Sequence, residues 1–136
     1  MRFPFPAIAA AFRERREVRQ PFPDVSDEDV ERIVRRNFPN EQFDSVMAAL
    51  GAYSEGRPSR KSPRVLLATL KLADGDIESL RNHIVAARRD YRDVLGAAEY
   101  PEYTRRGPSL VRRLSRKEQE RIVGKDWDEY ARWLGK

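Results

Sequence analysis

The residues best placed to do chemistry in this chain are acids set beside tyrosines. Asp90-Tyr91-Arg92-Asp93 and Glu99-Tyr100-Pro101-Glu102-Tyr103 bring carboxylates and phenols close together in sequence. Asp90 and Asp93 lie about one helical turn apart, so they share a surface. Two neighbouring carboxylates can serve as general acid and base, or hold a cation. Arg88, Arg89 and Arg92 stand beside them, however, and acids next to arginines ordinarily form ion pairs. A structural network is the first expectation here, an interaction surface the second and catalysis the last. Tyr91 belongs to an apolar stripe and is expected in the core. Tyr100 and Tyr103, rings with polar tips, are candidate interface residues.

Other chemistry falls away on inspection. Asp74, Asp76 and Glu78 alternate like a calcium loop, but that loop needs glycine at its sixth position and glutamate at its twelfth. Counting from Asp74, those positions hold Ser79 and Val85. The single histidine, His83, has no nucleophile motif beside it and reads as a surface or half-buried side chain. With no cysteine, the chain can form neither a disulfide nor a thiolate metal site. Gly-rich phosphate loops, nucleophile elbows and metalloprotease motifs are missing from the sequence. No catalytic residue, cofactor or metal ligand is therefore assigned, and the chain is expected not to be an enzyme.

The cations fall into three groups. The first is Arg13, Arg15, Arg16 and Arg19. Arg57, Arg60, Lys61 and Arg64 surround a helix start at Ser62-Pro63, where free backbone N–H groups favour an anion. Arg105, Arg106, Arg112, Arg113, Arg116 and Lys117 have few acids among them. Arg57, Arg60, Lys61, Arg105, Arg106, Arg112 and Arg113 are the candidate anion or nucleic-acid contacts. The overall balance is mild: 27 Lys and Arg against 22 acids give +5, which permits an anionic partner and demands none.

The elements that position these residues read as helices. Ile77, Leu80, Ile84, Ala87, Tyr91, Val94 and Ala98 fall alternately three and four residues apart, which predicts one continuous helix over 77–98 with a single apolar face. Arg64 to Ala73 is apolar nearly all round and is expected to be the central buried helix. Asp74-Gly75-Asp76 joins the two: Gly75 suits a left-handed turn and Asp76 a helix cap. Ser26 and three acids after it start a helix that stops before Pro39, and a second helix runs to about Ser54. Residues 55–62 and 103–108 read as loops. Ser115-Arg116-Lys117-Glu118 is a capping box. Gly124 and Asp126 suggest a break in the last segment, with one kinked helix as the alternative.

Two further features concern the ends. The 1–23 stretch reads as a Pro/Phe-rich arm with a short helix from Pro6. Its Phe3, Phe5 and Phe22 are candidate contacts, with the chain's own body or with another subunit. Pro4, Pro6 and the arginines that follow argue against a secretory signal, and the cytoplasm is the expected location. The stretch from Ser26 to Phe38 also echoes Ser115 to Trp127 (Glu31-Arg32-Ile33-Val34 beside Glu120-Arg121-Ile122-Val123), as related helix pairs or as capped amphipathic helices that look alike.

The run Leu70-Lys71-Leu72-Ala73-Asp74-Gly75-Asp76, then Asp90-Tyr91-Arg92-Asp93-Val94-Leu95 and Ala98-Glu99-Tyr100-Pro101, resembles a group of small uncharacterised bacterial proteins that share this pattern. The resemblance covers mainly residues 64–103. It implies a bacterial origin and carries over no catalytic residue.

These readings give an all-α chain of 136 residues, a single helical bundle of about five to seven helices around the hairpin 64–73 and 77–98. No apolar run is long enough to span a bilayer, so no membrane partner is expected. The expected function is a non-enzymatic protein-interaction or regulatory module. Its partner is another protein or a second copy of itself. Nucleic-acid or polyanion binding is the alternative.

Overall fold

A computed structural model of the protein describes residues 18–57 and 62–135. Phe3, Phe5, Arg60, Lys61 and the helix expected from Pro6 lie outside the described residues. Among the described residues the chain is all-helical, with eight α-helices and two short 3-10 turns. The helices are α1 (Asp27–Asn37), α2 (Phe43–Gly51), α3 (Pro63–Ala73), α4 (Ile77–Arg89), α5 (Tyr91–Glu99), α6 (Pro101–Arg106), α7 (Pro108–Val111) and α8 (Arg116–Leu134). None is long and apolar enough to cross a membrane.

The central hairpin forms as expected. In α3, Val65, Leu67, Ala68, Leu70 and Ala73 are buried, and the helix packs against α1, α4 and α5. Each fully buried leucine contributes about 1.5–3 kcal/mol relative to exposure. The Ser62 hydroxyl accepts from the Val65 N–H at 3.4 Å, with Pro63 in the first turn. At the far end both Asp74 (φ 49°) and Gly75 (φ 81°) turn left-handed. A Cβ on Gly75 would lie 3.0 Å from the Asn37 carbonyl oxygen, so glycine here also lets α1 come close. Asp76 caps α4 by accepting from the Glu78 N–H at 3.0 Å.

The continuous helix over 77–98 is corrected. It breaks at Asp90, whose backbone is extended (φ −154°, ψ 101°). The Asp90 carboxylate accepts the Arg92 N–H at 3.0 Å and so begins α5 afresh. An aspartate that bonds its own downstream backbone competes with the helix ladder. The apolar stripe survives the break, since Leu80, Ile84, Ala87, Val94 and Ala98 are all buried. Tyr91 does not follow it: in the first turn of α5 its ring is 44% exposed.

Three more readings change. Residues 103–108 are not a loop, because Pro101 and Pro108 each sit in the first turn of a short helix, α6 and α7, with Gly107 (φ 94°) between. Two extra helices and the Asp90 break take the helix number above the expected range. The last segment is one unbroken helix, α8, started by the Ser115 hydroxyl accepting from the Glu118 N–H at 3.2 Å. Gly124 is accommodated within it. The echo holds in burial at three pairs: Val30 with Gln119, Ile33 with Ile122 and Val34 with Val123. It then ends, since α1 stops at Asn37 while α8 continues to Leu134.

Cations from one helix close the carbonyl ends of others. Arg32 and Arg36 of α1 donate to the Leu134 and Trp133 carbonyls of α8, at 2.6 and 2.5 Å. Lys71 of α3 donates to the Ala98 carbonyl near the end of α5. Arg88 of α4 donates to the carbonyls of Ala52, Tyr53 and Glu55, just past α2. Arg88→Met keeps the aliphatic stem and strands these carbonyls. It is expected to lower stability by about 1–3 kcal/mol in urea unfolding.

Candidate functional site

The acid–tyrosine stretch lines an open groove of 440 Å³ between α5, α6 and the extended segment around Gln20. Arg64, Arg92, Asp93, Leu95, Tyr103 and Thr104 are among its walls. Gly96 brings α5 and α6 together at this point: a Cβ there would sit 2.9 Å from the Thr104 hydroxyl oxygen.

Its carboxylates are mostly engaged in structure. Glu99, with only 3% of its side chain exposed, accepts from Arg64 through both oxygens, at 2.8 and 2.7 Å. That hydrogen bond raises the pKa of Arg64, against the opposing effect of burial. Asp90 caps α5 and pairs with Arg92 at 3.1 Å. Engaged in this way, Asp90 stands in an ion pair with Arg92 and is not free to act with Asp93 as acid and base. Asp93 remains exposed on the groove wall.

Tyr100 is not an exposed interface residue. Its ring is 5% exposed and its hydroxyl donates to the Pro21 carbonyl, tying the N-terminal extended segment to α5. Burial, with the Glu99 charge next in effect, pushes the phenol pKa up. Tyr103 is half-buried in the groove wall. Phe22 is 65% exposed, and the Arg64 guanidinium lies over its ring at 4.8 Å from the centroid. His83 is half-buried on α4, as its sequence context suggested.

The candidate anion contacts divide. Arg57 is exposed beyond the 3-10 turn at Ala52–Ser54. Arg105 and Arg106, both on α6, converge on Glu102, each at 2.7 Å. Hydrogen bonds from Arg105 and then Arg106 draw the Glu102 carboxyl down to about 2. Arg112 donates to the Pro108 carbonyl at 3.2 Å, and Arg113 is exposed. The last four thus gather at the end built from α6, α7 and the turn before α8.

Two residues have roles here that differ from anything expected of them in the sequence. Asp126, on α8, is 1% exposed and accepts the Glu102 and Tyr103 N–H groups at 3.2 and 3.0 Å. It caps α6 from a distant helix. Burial raises its pKa, and those two N–H bonds pull the other way. Its position was a clue, since an acid at 126 falls on the stripe with Gln119, Ile122 and Tyr130. Leu110 is the other. It is 60% exposed and borders a small hollow of 180 Å³ with Arg106, Val111 and Leu114. Among the described residues no group of side chains could hold a metal ion.

Compared with known proteins, the chain matches no family model, no curated protein and no solved structure.

Two stability measurements follow from these contacts. Arg64→Met leaves the buried Glu99 carboxylate alone and is expected to cost about 3 kcal/mol. Arg64→Met combined with Glu99→Leu should recover much of that loss. A double variant as unstable as the single one would mean that packing, not charge pairing, sets the cost. Glu102 carries a pH signature. Its folded pKa lies below the usual 4.5, so its stabilising effect is present above that pH and fades as pH falls toward about 2. Asp126, shifted upward, works in the opposite sense over the range above its usual value. Denaturant unfolding across pH 7 to 2 should therefore show a steeper acid loss for the native chain than for Glu102→Gln.

Proposed function

We propose that this chain is a non-enzymatic protein-interaction or regulatory module of the bacterial cytoplasm. The observation that carries the reading is Leu110, 60% exposed beside an apolar hollow with Val111 and Leu114. Apolar surface of this kind, rimmed by polar groups, is what a protein partner covers. The acids support the reading from the other side. Asp90, Glu99 and Glu102 are held by arginines and backbone groups, and Asp93 stands exposed in an open groove beside Arg92. The bacterial setting rests on the resemblance of residues 64–103. The partner is another protein or a second copy of the chain.

Polyanion binding is the second reading, favoured by one observation. Residues 102–121 hold seven Lys and Arg against three acids, nearly the whole net charge of the chain.

A photo-crosslinking amino acid at position 110, with the exposed position 82 as control, separates the two. Irradiation in a lysate of the source cells is expected to give discrete protein adducts from 110 that resist nuclease. A second copy of the chain counts among them. Adducts at 110 no stronger than at 82 would overturn the module reading. Nuclease-sensitive adducts would put polyanion binding first.

A further inference from the structure

Leu110 stands in the most cationic part of the chain, and what surrounds it narrows the partner. The cations there are not alike. Arg105 and Arg106 already share Glu102, Arg116 pairs with Glu120, and Arg121 with Glu118. Arg113 and Lys117 are exposed and form no salt bridge among the described residues, Lys117 acting on Glu118 only through space. Arg112 is also exposed, its guanidinium donating to the Pro108 carbonyl. A few available cations thus follow directly on an exposed leucine and its apolar hollow.

That combination fits an acidic segment of a protein better than a nucleic acid. From Thr104 to Asp126 the chain holds no Phe, Tyr or Trp, and the one ring on α6, Tyr103, is half-buried in the wall of the other groove, so Leu110 and the cations after it have no run of rings beside them for bases to stack on. Glu102, Glu118 and Glu120 sit among the cations and take up four of the arginines, so the charge left over is too short a run for a continuous phosphate track. A short carboxylate run needs only a few cations, and its apolar side chain can enter the hollow lined by Leu110, Val111 and Leu114. Charge then sets the approach and the register, while apolar burial sets the lifetime.

We infer that the end of the fold formed by α6, α7 and the start of α8 docks a short acidic segment of a partner protein, with one apolar side chain of that segment seated against Leu110. The inference rests on the interaction-module reading and names the chemistry of its partner.

The test is fluorescence anisotropy of the full chain with a labelled oligoglutamate peptide carrying one central leucine, at about 0.15 M salt, where screening is already short-ranged. Controls are the same peptide with serine for leucine and a single-stranded RNA of equal charge. Saturable binding of the leucine peptide is expected. It should weaken about tenfold for the serine peptide and for Leu110→Ser. Arg113→Glu with Lys117→Glu should abolish it. All three substituted positions are exposed, so circular dichroism should show the fold unchanged. Equal binding of the serine peptide, an unaffected Leu110→Ser variant or tighter binding of the RNA would each overturn the inference, as would no binding of the leucine peptide. In that last case, crosslinks from position 110 would leave the module reading standing. Their absence would remove both.

Discussion

Every helix starts with backbone N–H groups that lack an intrahelical partner and ends with carbonyls that lack one. A chain folded into eight mostly short helices has many such ends close to its interior. Local caps serve several starts, as Ser62, Asp76, Asp90 and Ser115 do for α3, α4, α5 and α8. Elsewhere the partners come from distant helices. Arg32 and Arg36 meet the end of α8, Lys71 the end of α5, Arg88 the carbonyls after α2, and Asp126 the start of α6. The signs agree with the helix dipole, with cations at carbonyl ends and an anion at an amide end. Helices this short are marginal alone. These bonds join each of them to its neighbours, so helix formation and packing become one event.

The same bonds redistribute the charge. A basic chain suggests a cationic surface, yet several cations on α1, α3 and α4 turn their donors to carbonyls or to the buried Glu99. Arg36 shows the constraint plainly: burial, with Arg32 nearby, lowers its pKa, while its guanidinium donates to the Trp133 carbonyl and lies over the Trp133 ring. Counting arginines in the sequence therefore overstates the charge available to a partner. The available charge concentrates at the α6–α8 end, where ion pairs are exposed and individually weak. Electrostatic character becomes local only because the core elsewhere uses its cations as caps.

The fold was legible where local chemistry and apolar spacing agreed. The hairpin of α3 and α4, the Asp74–Asp76 turn and the Ser26 and Ser115 starts follow from caps and periodicity that point the same way. Reading failed where two local signals competed. The stripe through Tyr91 and Val94 predicts continuity, while in the structure the Asp90 carboxylate takes the Arg92 N–H and imposes a break. The cap won in the backbone, while the stripe still decided burial. A proline punctuates a chain, so Pro108 reads as a loop residue from the sequence, yet Pro101 and Pro108 both occupy a first helical turn, where a missing N–H costs nothing. Tyr100 was legible as a ring with a polar tip, but not that its tip would meet the Pro21 carbonyl of its own chain. Contacts across 79 residues leave no trace in spacing. Asp126 was the missed opportunity, since a charged residue on an apolar stripe must find partners or be expelled.

Asp126 also explains why the α6–α8 end can serve as a docking face at all. The helices α6 and α7 are six and four residues long, too short to hold a shape unaided. They carry Leu110 and, beside it, Arg105 and Arg106, and they lead into the turn that holds Arg113. On one side α6 is fixed to α8 through the Asp126 carboxylate, and on the other Gly96 admits its Thr104 against α5. Buried Val111 anchors α7, and Gln119 of α8 donates to the Leu114 carbonyl in the turn that follows. A surface held this way loses little conformational freedom when a partner binds. Leu110 thus stands exposed on a helix whose next residue, Val111, is fully buried.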